Sequence, residues 1–123
     1  MATDLAVTVE DRPGVLAGLG ATLGNAGINI EGVSGVASGP GSVVHLLVAD
    51  AAGARSALEG AGYSAIEERE VLTVDIDDRP GVLGELASTI ADAGVNVDLV
   101  YLATGLRLVL GAADLDALRS ALS

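Results

Sequence analysis

Residues 5–10, Leu-Ala-Val-Thr-Val-Glu, alternate apolar with polar or small positions, and residues 72–77, Leu-Thr-Val-Asp-Ile-Asp, do so more clearly. A period of two predicts a strand at each place. Both stretches run into Asp-Arg-Pro-Gly. Proline suits a first helical turn, where its missing N–H has no partner to lose, and the nearby Asp is a candidate cap for the free N–H groups, so a helix is expected next. In the second stretch Val82, Leu83, Leu86, Ile90 and Ala93 recur at steps of three and four and predict an inward stripe that Gly94 ends. The first stretch offers Val15, Leu16, Leu19, Leu23 and Ala26, but Gly18, Gly20 and Gly24 lie within it. Each interior glycine costs about 1 kcal/mol relative to Ala, which predicts the more mobile helix of the two.

Ile28-Asn29-Ile30 and Val95-Asn96-Val97 then open second strands expected to reach about Val36 and Leu102. Hairpins follow, with the loop 37–42 expected to be longer than the loop 103–105. Third strands are expected over 43–48 and 106–110, and second helices over 51–61 and 115–122, the latter capped by Asp114. Residues 63–69 read as a fourth strand that enters the next copy with hardly any linker.

The two halves share more than a plan. Asp11-Arg12-Pro13-Gly14-Val15-Leu16 returns intact as Asp78-Arg79-Pro80-Gly81-Val82-Leu83, and the same spacing aligns Leu19/Leu86, Thr22/Thr89, Ala26-Gly27/Ala93-Gly94, Asn29/Asn96 and Val33/Val100. Arg55-Ser56-Ala57-Leu58 matches Arg119-Ser120-Ala121-Leu122 with three residues fewer between. The chain is a tandem repeat, divided as 1–70 and 71–123. The fold class expected is α+β, two ferredoxin-like βαββαβ repeats with antiparallel sheets and helices on one face, the second lacking its last strand. That lack predicts an unpaired edge along 71–77, to be covered by a homodimer or by residues 63–70.

With 123 residues, each copy is near the size at which a lone core is marginal. Half the residues are hydrophobic, yet Tyr63 and Tyr101 are the only aromatics, so the core rests on aliphatic fit and no platform exists for stacking bases. Six Arg, no Lys and a net charge of −11 leave no basic stripe, which argues against nucleic acid and anionic membranes as partners. Residues 13–30 carry no charge, but five glycines, a proline and two asparagines make a poor membrane span. The absence of cysteine removes disulfides and thiolate chemistry. Met1-Ala2-Thr3-Asp4 has no basic start or apolar run, which makes the cytoplasm the expected location.

A strand ending in Asp-Arg-Pro-Gly-Val-Leu, a helix closing at Ala-Gly and a following Ile/Val-Asn-Ile/Val resemble the ACT domain family of small-molecule sensors, twice over nearly the whole chain. The resemblance implies domains that pair side by side and hold an amino acid between two of them. It implies a pocket made from the first turn and the start of the second strand: Asp11, Pro13, Gly14, Val15, Leu16 and Asn29 in one copy, Asp78, Pro80, Gly81, Val82, Leu83 and Asn96 in the other. A helix N-terminus attracts a carboxylate, glycine admits a ligand to the backbone, Asn both donates and accepts, and Asp11 or Asp78 can hold an α-ammonium. Val and Leu would size the ligand. Where the family often has Asn before Arg-Pro-Gly this chain has Asp, a more acidic site.

Other features carry less. Arg12 and Arg79 read as surface residues paired with neighbouring acids, and His45 as a half-buried histidine in an apolar strand. Asp75, Asp77 and Asp78 lack a calcium-loop pattern, and Gly39-Pro40-Gly41 is a turn without the Lys of a phosphate loop. No serine has a recognisable triad setting. The expectation is a non-enzymatic, ligand-sensing allosteric regulator without cofactor or metal, a homodimer or higher oligomer that binds an amino acid and signals to a protein partner. The alternative is an oligomerisation or partner-binding module with no small-molecule ligand.

Overall fold

The computed structural model describes residues 2–123, which fall into two compact units, Ala2–Arg69 and Glu70–Ser123. In the first, strand β1 (Ala2–Glu10) leads to helix α1 (Val15–Asn25), strands β2 (Gly32–Ser38) and β3 (Gly41–Val48), and helix α2 (Ala51–Gly60). Strand β4 (Ile66–Asp75) follows, then helix α3 (Val82–Asp92), strands β5 (Leu99–Ala103) and β6 (Arg107–Gly111), and helix α4 (Leu115–Ala121). In each unit the third strand is central. β1 and β2 both pair antiparallel with β3 (Leu5 opposite Leu46, Val33 opposite Leu46), and β4 and β5 pair with β6 (Leu72 and Val100 opposite Leu110).

Strand alternation puts Leu5 and Val7 of β1 and Val44, Leu46 and Val48 of β3 on one face, where Leu19 and Leu23 of α1 and Ala54 and Leu58 of α2 cover them. The second unit repeats the arrangement with Leu108 and Leu110 under Ile90 and Leu118. The fold class is the one expected: α+β, helices on one sheet face, twice.

Several local expectations need correction. The helices begin at Val15 and Val82, later than the motif suggested, and neither Asp11 nor Asp78 caps them. The N-cap residues are Gly14 (φ 90, ψ −15) and Gly81 (φ 89, ψ −9), with no side-chain cap. Gly14 has the dihedrals of the third position of a type II turn. Pro13 precedes it, and the Arg12 carbonyl accepts from the Val15 N–H at 3.4 Å, so Pro-Gly builds the turn and not the first helical turn. Residues 28–31 and 95–98 lie outside the strands. A backbone bond ties each to the sheet, from the Glu31 N–H to the Leu47 carbonyl and from the Asp98 N–H to the Gly111 carbonyl, both 2.9 Å.

The first hairpin turns through Gly39 and Pro40 alone, and the second through residues 104–106. The three extra residues of the first copy therefore lengthen its paired strands, not its loop. The expected last strand of copy one and first strand of copy two are a single strand, β4. Ile66 belongs to the first core, whereas Leu72 and Val74 pack on the second. Asp114 caps α4 as expected, its Oδ1 accepting from the Ala117 N–H at 3.0 Å, and Asp50 caps α2 in the same way.

Candidate ligand site

Because β1 and β2 flank the same strand and run parallel to each other, the end of β2 returns beside the turn that follows β1. Val9, Glu10, Asp11 and Arg12 there face Gly35, Val36 and Ala37, with Val15 and Leu16 of α1 along the side, around a cleft of about 320 Å³. That is near the lower end of small-molecule sites, roughly 300–1,000 Å³. Its walls are mostly aliphatic, and its charged groups are two carboxylates and one guanidinium. A second cleft of about 470 Å³ lies across Arg12 and Val15, lined also by Gly14, Gly18, Thr8 and Tyr63. Gly18 makes that arrangement possible: a Cβ there would stand 3.0 Å from the Tyr63 hydroxyl.

The turn in the second copy has the same backbone but different partners. Its cleft, about 280 Å³, is bounded by Asp75, Asp77, Arg79, Val82, Glu85 and Thr89, among others. Arg79 forms a bidentate pair with Glu85, Nη1 to Oε2 at 2.6 Å and Nη2 to Oε1 at 2.9 Å, and its Nε lies 3.7 Å from Asp77. Hydrogen bonding from Arg79, then its charge, holds the Glu85 carboxyl below its ordinary range, and Glu85 in turn raises the arginine's pKa. In the first copy Arg12 meets Glu10 through Nε at 2.5 Å.

Of the residues singled out from sequence, Asp11, Val15 and Leu16 line the first cleft, and Gly14 and Val15 the second. Val82 alone of its set lines the corresponding cleft in the second copy. Pro13, Asp78, Pro80, Gly81 and Leu83 shape or flank the turns and are exposed. Asn29 and Asn96 are elsewhere. Ile28 and Ile30 turn into the first core and leave Asn29 exposed between them, and Asn96 shares a different cleft with Asp98, Asp114 and Ala117. An 11-residue helix separates each Asn from the turn of its own copy, roughly 16 Å along the axis. One small ligand cannot touch both ends, so a site using turn and Asn together needs two repeats.

Sequence reasoning missed Gly35, Val36 and Ala37, whose nearness follows only from strand order, whereas Arg12 is the acid-paired surface residue expected and also lines both clefts. His45, which it expected to be half buried, meets wholly buried Asp4 through Nδ1 at 2.9 Å. Among the described residues no cluster of three or more His, Cys, Asp or Glu is placed to hold a metal, and no helix is long and apolar enough to cross a membrane.

Two successive strand-helix-strand-strand-helix units, each with an open turn before its first helix, define a tandem ferredoxin-like regulatory fold. The chain belongs to the ACT domain family, whose sequence profile matches residues 3–59 and 71–122. ACT domains are regulatory, amino-acid-binding modules. No curated protein matches the chain. Among solved structures it is similar to protein BT0572 from Bacteroides thetaiotaomicron (19% identity, TM-score 0.88, covering 98% of this chain and 85% of that one). It is also similar to the ligand-free regulatory subunit of aspartate kinase from Thermus thermophilus (20% identity, TM-score 0.70, 99% and 93%) and to its counterpart from Thermus flavus (20%, 0.68, 99% and 92%). At these identities the likeness is one of fold.

Proposed function

We propose that this chain is a non-enzymatic sensor that binds a free amino acid between ACT repeats and passes its bound state to a protein partner. The observation that carries the reading is the first-copy cleft. Carboxylates of Glu10 and Asp11 suit an α-ammonium, Arg12 and the uncapped start of α1 suit a carboxylate, and Val9, Val15, Leu16, Val36 and Val44 suit an aliphatic side chain. A zwitterion with an uncharged side chain fits this better than a dicarboxylate, given a chain with a net charge of −11. The set of binding residues then comprises Asp11, Pro13, Gly14, Val15 and Leu16 or their counterparts Asp78, Pro80, Gly81, Val82 and Leu83, completed by Asn29 or Asn96 of a facing repeat.

Exposed apolar residues at matching positions, Leu16 with Leu83 and Val33 with Val100, support a homodimer or larger assembly in which such faces are covered. Ligand held across repeats would favour one relative orientation, and the partner would read it. A thermal-unfolding screen against the twenty standard amino acids tests the reading. At a hundred times its dissociation constant a ligand adds about 2.7 kcal/mol, several degrees for a domain this small. Loss of that shift in N29A/N96A would support the composite site. No shift with any amino acid, in a protein that is a constant dimer by light scattering, would favour the oligomerisation module instead.

A further inference from the structure

The two turns superimpose in sequence from Asp to Leu and share the same left-handed glycine, but they differ two residues beyond Leu16 and Leu83. Gly18 stands where the second copy has Glu85. The acid preceding each arginine is common to both, Glu10 beside Arg12 and Asp77 beside Arg79. The helix carboxylate is not. In the second copy it reaches back one turn and takes both Nη atoms of Arg79 in a parallel pair, the geometry in which guanidinium recognises any carboxylate. In the first copy, among the described residues, Arg12 has Glu10 as its partner through Nε, and its Nη atoms bear no such clamp. The consequence shows in exposure: 62% for the Arg12 side chain against 46% for Arg79.

We infer that the two copies are unequal receptors, with Arg12 the carboxylate-binding residue of the first and Glu85 a built-in carboxylate that occupies the same seat in the second. This deepens the amino-acid reading above and rests on it. The ligand's α-carboxylate lies on the Nη edge of Arg12, which no helix carboxylate takes in this copy, with its ammonium toward Glu10 and Asp11. The Arg79 turn is closed to carboxylates because its guanidinium fork is already filled, and a competitor must displace an intramolecular group. Gly18 has a further part. Lacking a side chain, it accommodates the Tyr63 hydroxyl, so the first copy cannot acquire the clamp without moving the ring.

The test is isothermal titration of the full chain with each of the twenty amino acids, on wild type, R12Q, R79Q and E85A. Arg12, Arg79 and Glu85 are exposed, and circular dichroism confirms that each variant is folded. The expected result is one site per chain in the wild type, a loss of about tenfold or more in R12Q, as for one charge-assisted contact removed, and affinity within about twofold in R79Q. E85A should add a second binding event. If an amino acid binds and R79Q weakens it as much as R12Q, or the wild type titrates two equal sites, the inequality is wrong while the sensor reading survives. If no amino acid binds, both fall.

Discussion

Glu85 is exposed, and most exposed ion pairs contribute little, but a bidentate arginine fork is the geometry in which a surface pair matters. Its effect has a definite pH signature. The carboxyl titrates below its ordinary value of 4.5 in the folded chain. The stabilisation is therefore present in full above about 4.5 and is lost as pH falls through the lowered folded value. Thermal midpoints of wild type and E85Q should differ near neutral pH and converge in acid. A difference that persists well below pH 4 would show that the pair acts through packing and not charge. The same residue shows why position outweighs type. Arg12 and Arg79 are identical in sequence context over six residues, and what separates them is a single helical turn farther on.

Among the elements, α1 carries the opposite lesson about glycine at two sites. Gly20 has room for a side chain and an ordinary helical backbone, so G20A should stabilise the protein by roughly 0.5–1 kcal/mol. Gly14, at φ 90, also has open space around it, yet G14A should destabilise by about 1–2 kcal/mol, because the left-handed backbone is strained for any L side chain. Equal effects from both in urea denaturation would sink the distinction. The elements themselves were legible from period and punctuation: every helix and hairpin lies within a few residues of its expected place, and Asp114 caps where it should. The site was legible only in part. Asp11, Val15 and Leu16 are contiguous in sequence and meet at the cleft, whereas Gly35 to Ala37 arrive through strand order, and the separation of Asn29 from the turn depends on the direction of α1. Neither is a local property of the chain. The hairpin difference was misplaced for a related reason, since Ala37, Ser38, Gly41 and Ser42 read as loop but extend the ladder by pairing across the turn.

In the molecule as a whole the two aliphatic cores form distinct clusters, Leu23 and Leu58 in one, Ile90 and Leu118 in the other. Truncating Leu58 or Leu118, both wholly buried, should cost about 2–5 kcal/mol each. The two costs should add within about 0.5 kcal/mol, and a clear excess in the double variant would reveal cores that depend on each other. With no tryptophan or phenylalanine, the near-ultraviolet spectrum belongs to two phenols. Tyr101 is buried within β5, while Tyr63 is partly exposed, with its hydroxyl beside Gly18 and its ring on the wall of the second cleft. The protein therefore carries its own optical gauge, one ring shielded from solvent and the other lining the second cleft, which shares Arg12 and Val15 with the proposed ligand cleft. Occupancy should register as a change in tyrosine emission that Y63F abolishes, readable without any label.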